Sequence, residues 1–146
     1  MSLKENKKII YRFIEAYNEH NLDSINEIIA PDYVDPDYPQ LGGREGLKGM
    51  MIMAFQALPD WHETIEDICA EGDKVWVLLN CSGTHKGEFM GIAATGNKIS
   101  IRAIDIYRIE NGKIAWCRRI PTPDLGFFKQ LGIVEYTEVG KKTFQQ

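Results

Sequence analysis

The segment "KISIRAIDIYRIENGKIAWCRRI", residues 98–120, decides the fold. Two runs rich in isoleucine and aromatics flank Asn111-Gly112. That dipeptide is a strong signal for a two-residue hairpin, because a type I′ turn needs positive φ at both central positions. Upstream, "VWVLLNCSGTH" (75–85) reads as a further strand, apolar on both faces. Val75, Val77 and Leu79 lie on one side and Trp76 and Leu78 on the other. "EGDK" is a turn, and "WHETIEDICA" before it alternates imperfectly. Residues 61–120 therefore form a run of long antiparallel strands.

The pattern before residue 60 is helical. Ile10, Phe13, Ile14 and Tyr17 predict an amphipathic helix over 4–20, broken by "NEHNLD". Asp23 or Ser24 then caps a short helix that stops before Pro31, with Ser24 and Glu27 fitting a capping box. "PDYVDPDYPQLGG" is irregular, with a short strand at Tyr33 and Val34. A third helix starts near Gly43, carries Leu47, Met51, Ala54 and Leu58 on one stripe, and ends before Pro59. Asp124 starts a short helix over "DLGFFKQLG", and the tail from Val134 yields no assignment.

Helices followed by strands make an α+β chain. Three helices cannot cover four long strands laid flat. A strongly curved mixed or antiparallel sheet, with the N-terminal helices in its concave face, solves this and leaves a hollow suited to a small-molecule ligand. The other sheet face also carries Trp, Ile and Val, which a homodimer through that face would cover.

The 146 residues read as a single domain, 1–146. A net charge of −4 with no basic cluster argues against nucleic acid as partner, and no apolar run is long enough to span a membrane. "MSLKENKKII" has no apolar signal stretch, and the three cysteines form no C-x-x-C, so a reduced, cytoplasmic protein is expected. His20, His62 and His85 are too scattered for zinc, and Asp35 with Asp37 offers too few oxygens for calcium or magnesium. No metal site is expected, and no phosphate-cradling loop appears.

Several stretches taken together resemble the SnoaL-like polyketide cyclases of the nuclear transport factor 2-like superfamily. They are "YNEHNLDSINEIIAPDYVD", "GREGLKGMM", "ALPDWHETIEDICAEGDKVWV", "GTHKGEFMGIAATG", "IDIYRIENGKI" and "FFKQLG", in that order. The resemblance implies a cone-shaped α+β fold, a deep pocket, a homodimer, and cofactor-free ring closure by intramolecular aldol condensation. It also implies an Asp near the end of the last strand and a His after "YVD". Here Pro123 or Thr122 and Pro36 stand at those places. The nearest acid, Asp124, is read as a helix N-cap.

The candidate proton-handling residues are His85 and Asp105. His85 reaches a bound carbonyl or, alternatively, anchors the loop 86–97 through its ring. Asp105, flanked by Ile104 and Ile106, is either a base facing the pocket or the partner of a cross-strand arginine. Arg118 and Arg119 point to opposite faces, and Arg118 is assigned to the pocket as an orienting group. Trp116, alternating with Ile114 and Arg118, forms pocket wall or interface; Tyr33 and Tyr38 overhang the cavity; Met51 lines it. The expected function is binding of a small apolar carbonyl compound with acid/base cyclisation or isomerisation. The alternative is a non-catalytic binding or dimerisation module of the same fold.

Overall fold

The structure, a computed structural model, describes residues 1–122 and 124–144. Pro123 and the side chain of Asp124, with the capping role expected of it, lie outside the described residues.

Helix α1 (Leu3–Asn18) begins with a capping box in which Ser2 and Glu5 satisfy each other's backbone N–H. It buries Ile9, Ile10, Phe13 and Ile14. Helix α2 (Leu22–Ile28) is capped by Asn21, whose side chain accepts from the Ser24 N–H at 3.1 Å. The expected cap at Asp23 or Ser24 is thus displaced. The left-handed His20 (φ 55°) turns the chain early enough for Asn21 to cap instead. The irregular segment opens as a six-residue strand, β1 (Ile29–Val34), which tolerates Pro31 because it lies on the sheet edge. Helix α3 (Gly43–Ala57) follows, with Leu47, Met51 and Leu58 buried along its inner side.

The strands are β2 (His62–Glu71), β3 (Lys74–Thr84), β4 (Lys98–Glu110) and β5 (Lys113–Thr122). The sheet order is β1-β5-β4-β3-β2, with β1 parallel to β5 and the other pairs antiparallel. Asn111 and Gly112 have φ of 50° and 75°, as the hairpin reading required. Two short helices, α4 (Asp124–Gln130) and α5 (Glu138–Phe144), complete the chain.

Two irregularities set which side chains face inward. In β2 the register shifts between Ile65 and Asp67, which explains the imperfect alternation seen in the sequence. In the β4–β5 ladder it shifts at Arg108/Ile109: Ile109 pairs with Ile114, but Arg108 pairs with Trp116. One residue of β5, Ala115, is therefore extra, and every side chain after it changes face. Val75, Val77, Leu79, Ala103, Tyr107 and Ile114 form the buried inner layer under α1 and α3. On the outer face Trp76 and Ile120 stay exposed, beside half-buried Leu78, Ile104 and Ile106. Among the described residues no helix is long and apolar enough to cross a membrane.

Two glycines in α3 separate packing from propensity. A Cβ on Gly46 would lie 1.5 Å from the Leu41 carbonyl oxygen, whereas one on Gly49 meets nothing within 4 Å. Gly46→Ala should therefore destabilise the fold by about 1–3 kcal/mol or more. Gly49→Ala should stabilise it by up to about 1 kcal/mol. Urea unfolding of the two variants checks the opposite signs.

Candidate active site

A cavity of ≈ 440 Å³ lies between the inner sheet face, α1, α3 and the loops at the sheet end. Its walls are mostly apolar, with Phe13, Leu47, Met50, Met51, Trp61 and Phe127 among them. Its floor is charged.

Arg119 of β5 is the centre of that floor. Its Nε and Nη2 donate to the two oxygens of Asp105 on β4, each at 2.8 Å. Its Nη1 and Nη2 donate to the two oxygens of Glu63 on β2, at 2.8 and 3.0 Å. Both carboxylates are buried, with Glu63 2% and Asp105 1% exposed. Charges taken this far from water persist only when paired and hydrogen-bonded. Tyr107 supplies Asp105 with a hydroxyl donor at 2.7 Å, and the Trp61 indole N–H meets Glu63 Oε1 at 3.0 Å. Asn18 of α1 fixes Glu63 from behind by exchanging two 2.8 Å hydrogen bonds with its backbone. Burial opposes the Arg119 charge, but Asp105 and Glu63 outweigh it and push the guanidinium pKa up.

A guanidinium has five N–H donors. Four are used on the two carboxylates. Among the described residues nothing meets the remaining Nη1 donor, and Arg119 keeps 36% of its side-chain surface open. The site thus presents one oriented, charge-assisted N–H in a largely apolar hollow.

The neighbouring groups are held protonated. Burial pushes the hydroxyls of Tyr17, Tyr33 and Tyr107 well above their ordinary range, with nearby carboxylates adding to the effect for Tyr17 and Tyr107. The Cys117 thiol, beside Tyr33, is raised by burial and by Asp105. Cys81 is pushed up to about 12, by burial first and Glu63 second.

Of the residues singled out in the sequence, Asp105, Tyr33, Tyr38 and Met51 line the cavity. Asp105 does so with both oxygens engaged, which matches the cross-strand arginine alternative. Arg118 and Trp116 do not line it. Ile114 does face inward, but the extra residue Ala115 turns Trp116 and Arg118 to the outer face and brings Cys117 and Arg119 in. Arg118 instead pairs with Asp37, at 2.9 and 3.1 Å.

His85 is also not a lining residue. It is fully buried at the start of the loop 86–97. Its backbone pairs with Asn97 and Gly96, and its ring Nδ1 lies 3.0 Å from the Thr95 hydroxyl. It closes the loop base, so that Phe89 and Met90 hang over the cavity. Gly87 lets that loop press on α3, where the Lys86 and Gly87 N–H groups donate to the Ala57 carbonyl. Sequence reasoning missed Glu63, Tyr107 and Asn18; Glu63, between His62 and Thr64 with Glu66 and Asp67 close by, carries no signal like that of Asp105 between Ile104 and Ile106.

Two measurements follow from this geometry. Arg119→Ala leaves two buried carboxylates without a cation and should cost about 3–5 kcal/mol in urea unfolding. In the native protein at pH 8, iodoacetamide should spare Cys81 and Cys117, which react only after unfolding, as counted by mass spectrometry.

The family model of the SnoaL-like polyketide cyclases matches residues 8–131. The chain is 32% identical over 130 residues to aklanonic acid methyl ester cyclase DauD of Streptomyces sp. (strain C5), covering 85% of this chain and 80% of that one. It is 30% identical over 128 residues to the nogalonic acid methyl ester cyclase of Streptomyces nogalater, covering 82% and 91%. The solved structure of TsrD from Streptomyces laurentii superposes with a TM-score of 0.83 at 29% identity, over 92% of this chain and 99% of that one.

Proposed function

The chain belongs to the SnoaL-like polyketide cyclase family, and from that premise we propose that it closes a ring on a polyketide methyl ester. The reaction is an intramolecular aldol condensation driven by acid/base chemistry, with no cofactor required. The observation that carries this reading is the unmatched Nη1 donor of Arg119 at the base of an apolar cavity. Enolate formation moves negative charge onto a carbonyl oxygen, and a pre-oriented cationic donor is worth most at that atom. The cavity volume suits a small organic ligand, and its aromatic and methionine walls suit a flat, mostly apolar one.

In this reading Asp105 is a positioning residue. With Glu63 and Tyr107 it holds the guanidinium plane, and both its oxygens are engaged in doing so. Tyr33, kept protonated, donates a second hydrogen bond to the ligand. Tyr38 and Met51 shape the wall. His85 contributes by fixing the overhanging loop rather than by moving protons.

The same proposal includes a homodimer through the outer sheet face, supported by Trp76 and Ile120, which are 45% and 41% exposed there. The free thiols Cys69, Cys81 and Cys117 suit a reducing, cytoplasmic setting.

The direct test is turnover of aklanonic acid methyl ester followed by liquid chromatography. Ring closure is expected, and Arg119→Lys should lower kcat by about 10²–10³-fold, since lysine keeps the charge and loses the fork. Ligand binding without turnover would favour the non-catalytic binder instead. Ile104→Glu, in the middle of the outer face, should convert a dimer to monomers in sedimentation velocity while leaving the cavity side untouched.

A further inference from the structure

Four carboxylates line the cavity: Asp35, Asp37, Glu63 and Asp105. Three are neutralised, Glu63 and Asp105 by Arg119 and Asp37 by Arg118. Among the described residues Asp35 is the one of the four with no ion-pair partner. Its Oδ1 accepts the Asp37 N–H at 2.9 Å, an Asx turn that fixes how the carboxyl sits without removing its charge.

Asp35 and Arg119 line the same cavity, and the sheet sets their strands side by side. Val34 pairs with Trp116 in the parallel β1–β5 ladder, so Asp35 emerges beside Cys117, two residues short of Arg119. Two residues of strand span roughly 7 Å. A C–C=O unit lying between the two side chains is compatible with a backbone offset of that size. From this arrangement we infer that Asp35 is the general base of the ring closure. The inference rests on the cyclase reading above and assigns the proton transfer within it.

The step balances within the substrate. Asp35 carboxylate takes a proton from the carbon beside a ketone, and the C–H electron pair becomes the enolate, its oxygen held by Arg119. The enolate carbon adds to a second carbonyl carbon, forming the C–C bond as that C=O π bond breaks. The new alkoxide takes the proton back from Asp35, which restores the carboxylate.

The electrostatics support this geometry. Burial raises the Asp35 pKa above the ordinary carboxylate range, with the Asp37 charge adding. The backbone N–H groups of Asp37 and Tyr38 and the charge of Arg118 partly oppose it. Tyr33 on β1 and Cys117 on β5 also face Asp35, and both stay protonated and uncharged. A carboxylate raised in this way holds an abstracted proton better. It also costs stability when ionised. The raised folded-state pKa favours folding at low pH, and that advantage is lost as pH rises through it. Asp35→Asn, which keeps the turn acceptor, should therefore raise the unfolding temperature at pH 7, and the gain should vanish on acidification.

The probe is methyl 2-acetylbenzoate, an aryl methyl ketone carrying a methyl ester. Exchange of its acetyl protons in D2O, read by NMR, reports proton removal without ring closure. The native protein should catalyse exchange with a rate that climbs through the Asp35 ionisation. Asp35→Asn should exchange at least about 100-fold more slowly and lose that limb, with Asp35→Glu recovering part of the rate. Probe affinity, read by tryptophan fluorescence to which Trp61 in the wall responds, should stay within about threefold. Native protein without exchange, or Asp35→Asn within threefold of native, overturns the assignment. Ring closure of aklanonic acid methyl ester is scored separately. Closure at the native rate by Asp35→Asn removes Asp35 and leaves the cyclase reading. Native protein that exchanges but closes no ring removes that reading and, with it, the role of Asp35 in ring closure, leaving it a base for enolisation alone.

Discussion

The structure depends on one cation that neutralises two buried carboxylates. Arg119 joins three strands that are not all neighbours: its own β5, the adjacent β4, and β2 beyond β3. Side chains rising from a flat sheet would stand about 14 Å apart across three strand spacings. Glu63 and Arg119 meet at 2.8 Å because the sheet closes inward over the helices. The same contact fixes register. A one-residue slip in β4 or β5 would leave a buried carboxylate, Asp105 or Glu63, without its counter-charge, and that cost is larger than most single packing defects. Curvature, register and a polar floor are thus three aspects of one electrostatic requirement.

That requirement also divides labour inside the cavity. The floor is over-determined: every oxygen of Asp105 and Glu63 has a donor, and Asn18 ties the cluster to α1. Such a network is rigid, and rigid donors stabilise developing charge without reorganising. Groups committed to holding one another cannot also exchange protons freely. Proton traffic falls instead to the rim, where the chain leaves β1 and a carboxylate sits half out of water.

Much of this was legible in the sequence. Asn111-Gly112, the three-four spacing of Ile10, Phe13 and Ile14, and the stripe along α3 specify elements through local periodicity, which one chain displays in full. The site was less legible because it depends on parity. Counting back from a two-residue hairpin pairs Asp105 with Arg118; the single extra residue at Ala115 moves the partner to Arg119 and turns Trp116 outward. Nothing in "KIAWCRRI" marks that bulge, since Ile114 and Ala115 are both apolar and both buried. The glycines around His85 drew attention to a ring that closes a loop. Asp35 was weighed only as a metal ligand, because its isolation from cations appears only after the other three carboxylates have found theirs.

The walls above the fixed floor are made of movable parts. Met50 and Met51 line one side, Met90 reaches in from the overhanging loop, and Phe127 and Phe128 come from a separate short helix. None of these takes part in the ion cluster, and thioethers reshape around a guest at little cost. New ring sizes and substituents can therefore be accommodated by exchanging lining side chains, with the charged base that sets the architecture left in place.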